Sequence, residues 1–154
     1  MLVSVDFDGT CVTHMYPETG FNIGAEVVLK ELTNNGHSII CVSMRSDNDK
    51  KRCGIDTLEN IRLWFNENGI PLQDINDNKE QGSWTSSRKI YAHTYIDDQF
   101  LGAPLKHNKL VSERPFIDWI RASQMLYEIG FLSLAQVDKV DAVLRKKYPN
   151  IYKE

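Results

Sequence analysis

Short apolar runs alternate with helix-like segments along the first two thirds of the chain, and this alternation constrains the fold most. The runs LVSV at 2–5 and IICV at 39–42 predict buried strands, and YAHTYI at 91–96 predicts another. The segment IPLQDIN at 70–76 is a more weakly marked strand. Strands that alternate with helices are typical of a parallel sheet with right-handed crossovers. The sequence therefore predicts an α/β fold in which helices flank a central parallel sheet.

Two amphipathic segments supply the crossover helices. AEVVLKELTNNG carries Val27, Val28 and Leu32 at helical spacing and stops at an Asn-Asn-Gly sequence, which commonly ends a helix. GIDTLENIRLWFNENG repeats the pattern and ends at Asn68-Gly69. In each segment, helical spacing places the apolar residues on one face, which can pack on the sheet.

The chain divides into two predicted regions, a core at 1–111 and a helical extension at 112–154. In the extension, a stripe from Phe116 to Tyr127 predicts one helix. Ser133 and Gln136 resemble a capping box at the start of another, which ends near Tyr148. We expect these helices to pack on the core or on a second copy of the chain, which makes a homo-oligomer an open alternative.

Composition restricts the class of protein. The 154 residues carry a formal net charge of −3, so no overall charge attracts nucleic acid or an anionic membrane. No apolar run approaches the roughly 20 residues that span a bilayer. Three cysteines without a C-x-x-C pair argue against a disulfide framework or a zinc site. We expect a cytoplasmic protein that is not bound to a membrane.

Polar side chains follow the predicted strands where each strand ends. They are Asp6 and Asp8, Ser43 and Arg45, and Asp97 and Asp98. Ligands bind beyond the carboxyl ends of strands in parallel α/β sheets, so we expect these side chains to converge at one edge. Clustered carboxylates repel each other unless a cation lies between them. Carboxylate oxygens suit a hard cation such as Mg²⁺, and Mg²⁺ commonly binds phosphate as well.

The order of these residues resembles the haloacid-dehalogenase-like (HAD) hydrolases. DFDGT is similar to the first motif of that family, D-x-D-x-T, at the end of a strand. Ser43 resembles the second motif, and Asp97-Asp98, followed by a loop with Leu-Gly, resembles the acidic fourth motif of small capless members. The resemblance covers residues 1 to about 105 and implies a single Rossmann-like domain without a large cap.

The resemblance implies a role for each matching residue. Asp6 would be the nucleophile that forms an aspartyl-phosphate, and Asp8 the acid and base of the two steps. Ser43 would bind a phosphoryl oxygen. The metal ligands, for Mg²⁺, would be Asp6, the main-chain carbonyl of Asp8, Asp97 and, through water, Asp98.

Further residues are candidates for substrate binding. Backbone N–H groups after Asp6, at Phe7 and Gly9, can point at an anion, and Thr10 would fix the loop. Arg45 is a candidate phosphate contact because a planar guanidinium suits that role. His14 and Tyr16 lie in the loop after the acids, within reach of a substrate.

The basic third motif of the family has no single counterpart in the chain. Lys79, Arg88 and Lys89 all lie between the third predicted strand and Asp97. Lys89 is favoured because it is closest in sequence to the acidic strand end. Each of the three is also a plausible surface charge.

These residues imply a magnesium-dependent phosphatase acting through an aspartyl-phosphate. An uncapped site would admit a large or polymeric phosphorylated substrate, including a phosphorylated nucleic-acid end, although nothing else indicates nucleic acid. Two alternatives remain. One is a catalytically weak or inactive HAD-like protein that binds a phosphorylated ligand or partner. The other is a metal nuclease without a covalent intermediate.

Overall fold

A four-stranded parallel sheet lies at the centre of the computed structural model, which describes residues 1–153. The strands are β1 (Leu2–Val5), β2 (Ser38–Cys41), β3 (Asp74–Ile75) and β4 (Thr94–Ile96), arranged in the order β3-β2-β1-β4. Val5 pairs with Cys41 on one side and with Ile96 on the other, so β1, β2 and β4 end at the same level. The predicted parallel α/β fold is confirmed.

The crossovers are helical. Helix α1 (Ala25–Asn34) joins β1 to β2, and α2 (Asp49–Cys53) and α3 (Thr57–Glu67) join β2 to β3. The Asp56 side chain caps α3 by accepting a hydrogen bond from the Glu59 N–H. The chain then passes through a 3₁₀ helix (Lys79–Ser83) to β4, on the opposite side of β1. The strand order therefore reverses between β1 and β4, where a crevice opens in sheets of this kind.

The C-terminal region contains a small antiparallel sheet as well as helices. Strands β5 (Leu105–Lys106) and β6 (Phe116–Ile117) pair with each other and are followed by α4 (Trp119–Glu128) and α5 (Leu134–Lys147). The predicted capping box of Ser133 and Gln136 is present at the start of α5. Phe116, predicted on a helix, lies instead in β6.

The C-terminal helices pack on the core of their own chain. α5 contacts α1 and α4, and Phe116, Trp119 and Leu144 belong to the same buried cluster as Val3 and Val5. Lys147 and Tyr148 both donate hydrogen bonds to the Glu26 carboxylate on α1. Within residues 1–153, no helix has the length and apolar character to cross a bilayer.

Candidate functional site

Three carboxylates converge at the carboxyl edge of the sheet. Asp6 follows β1, and Asp97 and Asp98 follow β4, so the neighbouring strands bring them together. One carboxylate oxygen from each lies within 4.8 Å of the other two. The predicted convergence of these acids is thus present in the described part of the chain.

Burial and mutual repulsion disfavour the charged forms of these acids. Burial, followed by the nearby charges of Asp97, Asp98 and Asp8, raises the pKa of Asp6 to about 8. Burial and the charge of Asp98 also raise the pKa of Asp97. The Phe7 N–H acts in the opposite direction at Asp6. It donates a hydrogen bond that stabilises the charged carboxylate and lowers its pKa. A cation among the three carboxylates would remove the repulsion, and an all-oxygen donor set of this kind fits Mg²⁺.

Thr10 and His14 both contact the cluster of carboxylates. The buried Thr10 hydroxyl lies 3.4 Å from Asp6 Oδ2 and accepts a hydrogen bond from the Asp98 N–H at 3.1 Å. His14 Nε2 lies 3.1 Å from Asp98 Oδ2. A Cβ at Gly9, where φ is +83°, would lie 2.1 Å from that nitrogen, so the pair packs here only against a glycine.

Asp8 is held apart from the carboxylate cluster by Arg45. Arg45 Nε and Nη2 donate to the two carboxylate oxygens of Asp8, each at 2.7 Å. The Arg45 guanidinium also donates to the carbonyls of Pro17 and Glu18 and lies over the rings of Phe7 and Tyr16. The Arg45 side chain is 1% exposed, so it acts as a structural partner of Asp8 rather than as an open phosphate contact.

The other residues predicted to bind substrate, Phe7, Gly9 and Thr10, do not face a ligand. Phe7 is fully buried and meets Trp64 edge to face. The Gly9 N–H donates to the Val12 carbonyl at 2.7 Å, so it does not point at a ligand. Thr10 is also fully buried. These residues shape the loop that carries Asp6 rather than contact a substrate.

Ser43 lies beside the acids, in the loop after β2. Its Oγ accepts the Arg45 N–H at 3.2 Å. Asn76, which follows β3, accepts the Ser43 N–H at 2.7 Å and donates to the Arg45 carbonyl at 3.0 Å. Asn76 has φ of +52°, a conformation that asparagine tolerates better than most residues. It was not among the predicted residues, although its place after a strand at the same edge was a signal.

The structure does not bring the candidate lysines to the site. The Lys89 ammonium lies 5.8 Å from the centre of the Tyr95 ring, and its chain segment enters β4 from the amino end. Lys89 is close to Asp97 in sequence, but β4 carries Asp97 to the opposite edge of the sheet. Lys79 pairs with Asp74 at 3.1 Å. Neither lysine, nor Arg88, lines the cavity beside Asp6 in the described part of the chain.

The cavity beside Asp6 has a volume of about 370 Å³. Its acidic and basic lining residues are Asp6, Asp8, His14, Arg45, Arg52 and Arg114. The other lining residues are Tyr16, Ser43, Met44 and Gln99. Basic side chains therefore face the cavity together with the nucleophile candidate, which is an arrangement suited to an anionic ligand.

Comparison with known proteins supports the fold. The structure of a conserved protein encoded by a locus of Bacteroides thetaiotaomicron superimposes with a TM-score of 0.64 at 28% sequence identity. The likeness covers 89% of this chain and 96% of that one. No protein-family model and no curated protein matches the sequence.

Proposed function

We propose that this chain is a magnesium-dependent phosphatase, a phosphoric monoester hydrolase, with Asp6 as its nucleophile. The observation that carries the proposal is the convergence of Asp97 and Asp98 on Asp6, which itself lines a cavity with basic side chains. The resemblance of DFDGT, Ser43 and Asp97-Asp98 to the HAD motifs supports the same reaction. The open cavity suits a large or polymeric phosphorylated substrate.

The carboxylates of Asp6, Asp97 and Asp98 would hold the magnesium ion. When bound, the ion would offset the negative charge that builds up between these carboxylates and a phosphoryl group. The Asp8 carboxylate lies outside this cluster because Arg45 binds both of its oxygens. Its main-chain carbonyl remains the proposed ligand from that residue.

In the first step, an Asp6 oxygen attacks phosphorus, and the bond to the leaving oxygen breaks with its electron pair. The phosphoryl group is then covalently attached to Asp6, and the Ser43 hydroxyl donates to one of its oxygens. In the second step, water attacks phosphorus and gives a proton to Asp8, which releases it to solvent, while the oxygen that left in the first step takes up a proton from solvent. Inorganic phosphate departs and the Asp6 carboxylate is restored.

A second candidate function is a weakly active or inactive protein that binds a phosphorylated ligand. The pairing of Asp8 with Arg45 favours it, because a carboxylate with both oxygens bound by a guanidinium is a poor proton donor. No lysine lines the cavity in the described residues, which favours it further.

Hydrolysis of p-nitrophenyl phosphate tests the proposal. We expect turnover with Mg²⁺, none after chelation, and none for Asp6→Asn, because an amide is a poor nucleophile. Asp74→Asn is the matched control, since its salt bridge to Lys79 lies outside the cavity. Mass spectrometry of the quenched wild-type protein should show one phosphoryl group on Asp6. Absence of turnover together with retained phosphate binding would support the second candidate.

A further inference from the structure

Arg114 reaches the cavity beside Asp6 from a distant part of the sequence. It lies between β5 and β6, in the C-terminal region, yet it lines the same cavity as Asp6 and Ser43. Its side chain is exposed. Within residues 1–153 its guanidinium makes no hydrogen bond or ion pair with the protein, so its donors face the cavity and solvent.

The site requires such a cation on electrostatic grounds. A phosphate monoester carries about two negative charges near neutral pH. It would approach Asp6, Asp97 and Asp98, whose combined charge a single divalent ion offsets only in part. A fixed positive group on the cavity wall would stabilise the phosphoryl oxygens during transfer.

The other basic residues of the cavity are already paired with acids. Arg45 is bound to Asp8, and His14 lies 3.1 Å from Asp98. Arg52 lies 3.3 Å from Asp49 and also donates to the Tyr16 hydroxyl. Among the described basic residues that line the cavity, Arg114 alone has no acidic partner.

The segment after Arg114 is anchored to the acidic loop. The Ile117 N–H donates to the Gly9 carbonyl at 2.9 Å, and Trp119 Nε1 donates to the Thr10 carbonyl at 2.8 Å. Three residues of extended chain span at most about 10 Å, so Arg114 cannot lie far from Gly9. The anchored backbone thus keeps the guanidinium near the reacting group.

We propose that Arg114 is the phosphate-binding cation of the site, supplied by the C-terminal region. This inference rests on the proposed function, which it extends by a substrate contact. The planar guanidinium can donate two parallel hydrogen bonds to phosphoryl oxygens. The C-terminal region therefore completes the site.

The test compares Arg114→Ala and Arg114→Lys with wild type. Arg121→Ala is the matched control, because Arg121 is an exposed arginine of the same region outside the cavity. The readouts are kcat and KM for p-nitrophenyl phosphate with Mg²⁺, and the Kd of inorganic phosphate by calorimetry at saturating Mg²⁺. The rise in melting temperature with Mg²⁺ reports separately on the metal site.

We expect Arg114→Ala to lower kcat/KM by about a hundredfold and to weaken phosphate binding by about tenfold or more. Arg114→Lys should recover part of both losses because it keeps the charge but not the fork. The melting-temperature shift with Mg²⁺ should persist in both variants.

Unchanged phosphate binding and turnover in Arg114→Ala would overturn the inference, as would an equal loss in Arg121→Ala. If the wild type binds phosphate but turns over no ester, the proposed function fails, and the phosphate Kd alone still decides the role of Arg114. If the wild type binds no phosphate with Mg²⁺ present, the inference is also overturned.

Discussion

The two carboxylate oxygens of Asp8 each accept a hydrogen bond of 2.7 Å from Arg45. The Arg45 side chain is almost completely buried, so the pair is poorly screened by solvent or salt. The guanidinium thus engages both oxygens of the Asp8 carboxylate. In the proposed reaction this pairing disfavours the transfer of a proton from Asp8 to a leaving group.

A strong dependence of rate on the leaving group follows from this pairing. We expect p-nitrophenyl phosphate, whose leaving group needs no proton, to be hydrolysed at least about a hundredfold faster than a simple alkyl phosphate. The measurement is kcat/KM for a series of esters of increasing leaving-group pKa. Equal rates across the series, in a regime where chemistry is rate-limiting, would show that Asp8 donates a proton despite Arg45.

The Asp97→Asn substitution should change the stability of the metal-free protein and its stabilisation by Mg²⁺ in opposite directions. The amide relieves repulsion with Asp98, so we expect metal-free Asp97→Asn to melt at a higher temperature than the metal-free wild type. The stabilisation by Mg²⁺ should shrink because one ligand charge is lost. Thermal melting with and without Mg²⁺ measures the metal-free melting temperature and its rise on addition of the ion.

Asp77→Asn is the control for that experiment, since Asp77 is exposed and lies outside the acidic cluster. It should keep the wild-type response to Mg²⁺. An undiminished response in Asp97→Asn would exclude Asp97 from the proposed metal site.

Trp119→Phe should loosen the acidic loop while preserving most of the core. The indole donates to the Thr10 carbonyl at 2.8 Å, and loss of that donor leaves a buried acceptor unpaired at about 1–3 kcal/mol. Because Thr10 braces Asp6, we expect weaker Mg²⁺ binding as well as lower stability. Urea unfolding and Mg²⁺ titration measure the two effects.

Trp64→Phe is the matched control for Trp119→Phe. It removes a similar indole hydrogen bond, to Asn22 at 2.7 Å, from the same hydrophobic core. It should lower stability with little change in Mg²⁺ affinity. Equal effects of the two variants on Mg²⁺ binding would contradict a specific role for Trp119.

Lys89→Ala and Lys79→Ala should both keep turnover within about twofold of wild type. The two ammonium groups contact Tyr95 and Asp74, outside the cavity, and exposed charges of this kind contribute little. Steady-state kinetics of both variants checks this. A large loss in Lys89→Ala would require a rearrangement that brings the amino end of β4 to the site.

The stability of the chain should decrease in acid partly through Asp49. Hydrogen bonds from the Thr57 hydroxyl and the Ser46 N–H lower its pKa to about 2. A carboxyl group with a lowered folded-state pKa contributes stability fully above about pH 4, and that contribution is lost as the pH falls toward 2. We expect Thr57→Val to reduce this acid sensitivity, measured by urea unfolding at pH 6 and pH 3. An unchanged pH dependence would exclude the Thr57 bond as its cause.

The parts of the fold that depend on local pattern were predictable from the sequence. The apolar runs identified β1, β2 and β4, and the capping box located the start of α5. The pattern missed α2, a five-residue helix of mostly charged residues, and the two-residue strands β5 and β6. Such short elements carry too few residues for a period to appear.

The convergence of Asp6 with Asp97 and Asp98 followed from the parallel topology and strand ends. The pairing of Arg45 with Asp8 could not be predicted in this way. An arginine that follows a strand looks the same in the sequence whether it faces a ligand or a carboxylate of the protein. Lys89 was misplaced because closeness in sequence does not give the edge of the sheet. The position of Arg114 near the cavity depends on a contact between β6 and the loop after β1, and no local sequence pattern predicts that contact.

The bond between Trp119 and Thr10 joins residues that are 109 positions apart in the sequence. A ribosome that adds about 5–20 residues each second would release Thr10 many seconds before Trp119. During that interval the loop around Thr10 would lack its indole anchor. The loop that carries Asp6 therefore gains this anchor only after a segment more than 100 positions later in the chain has been synthesised.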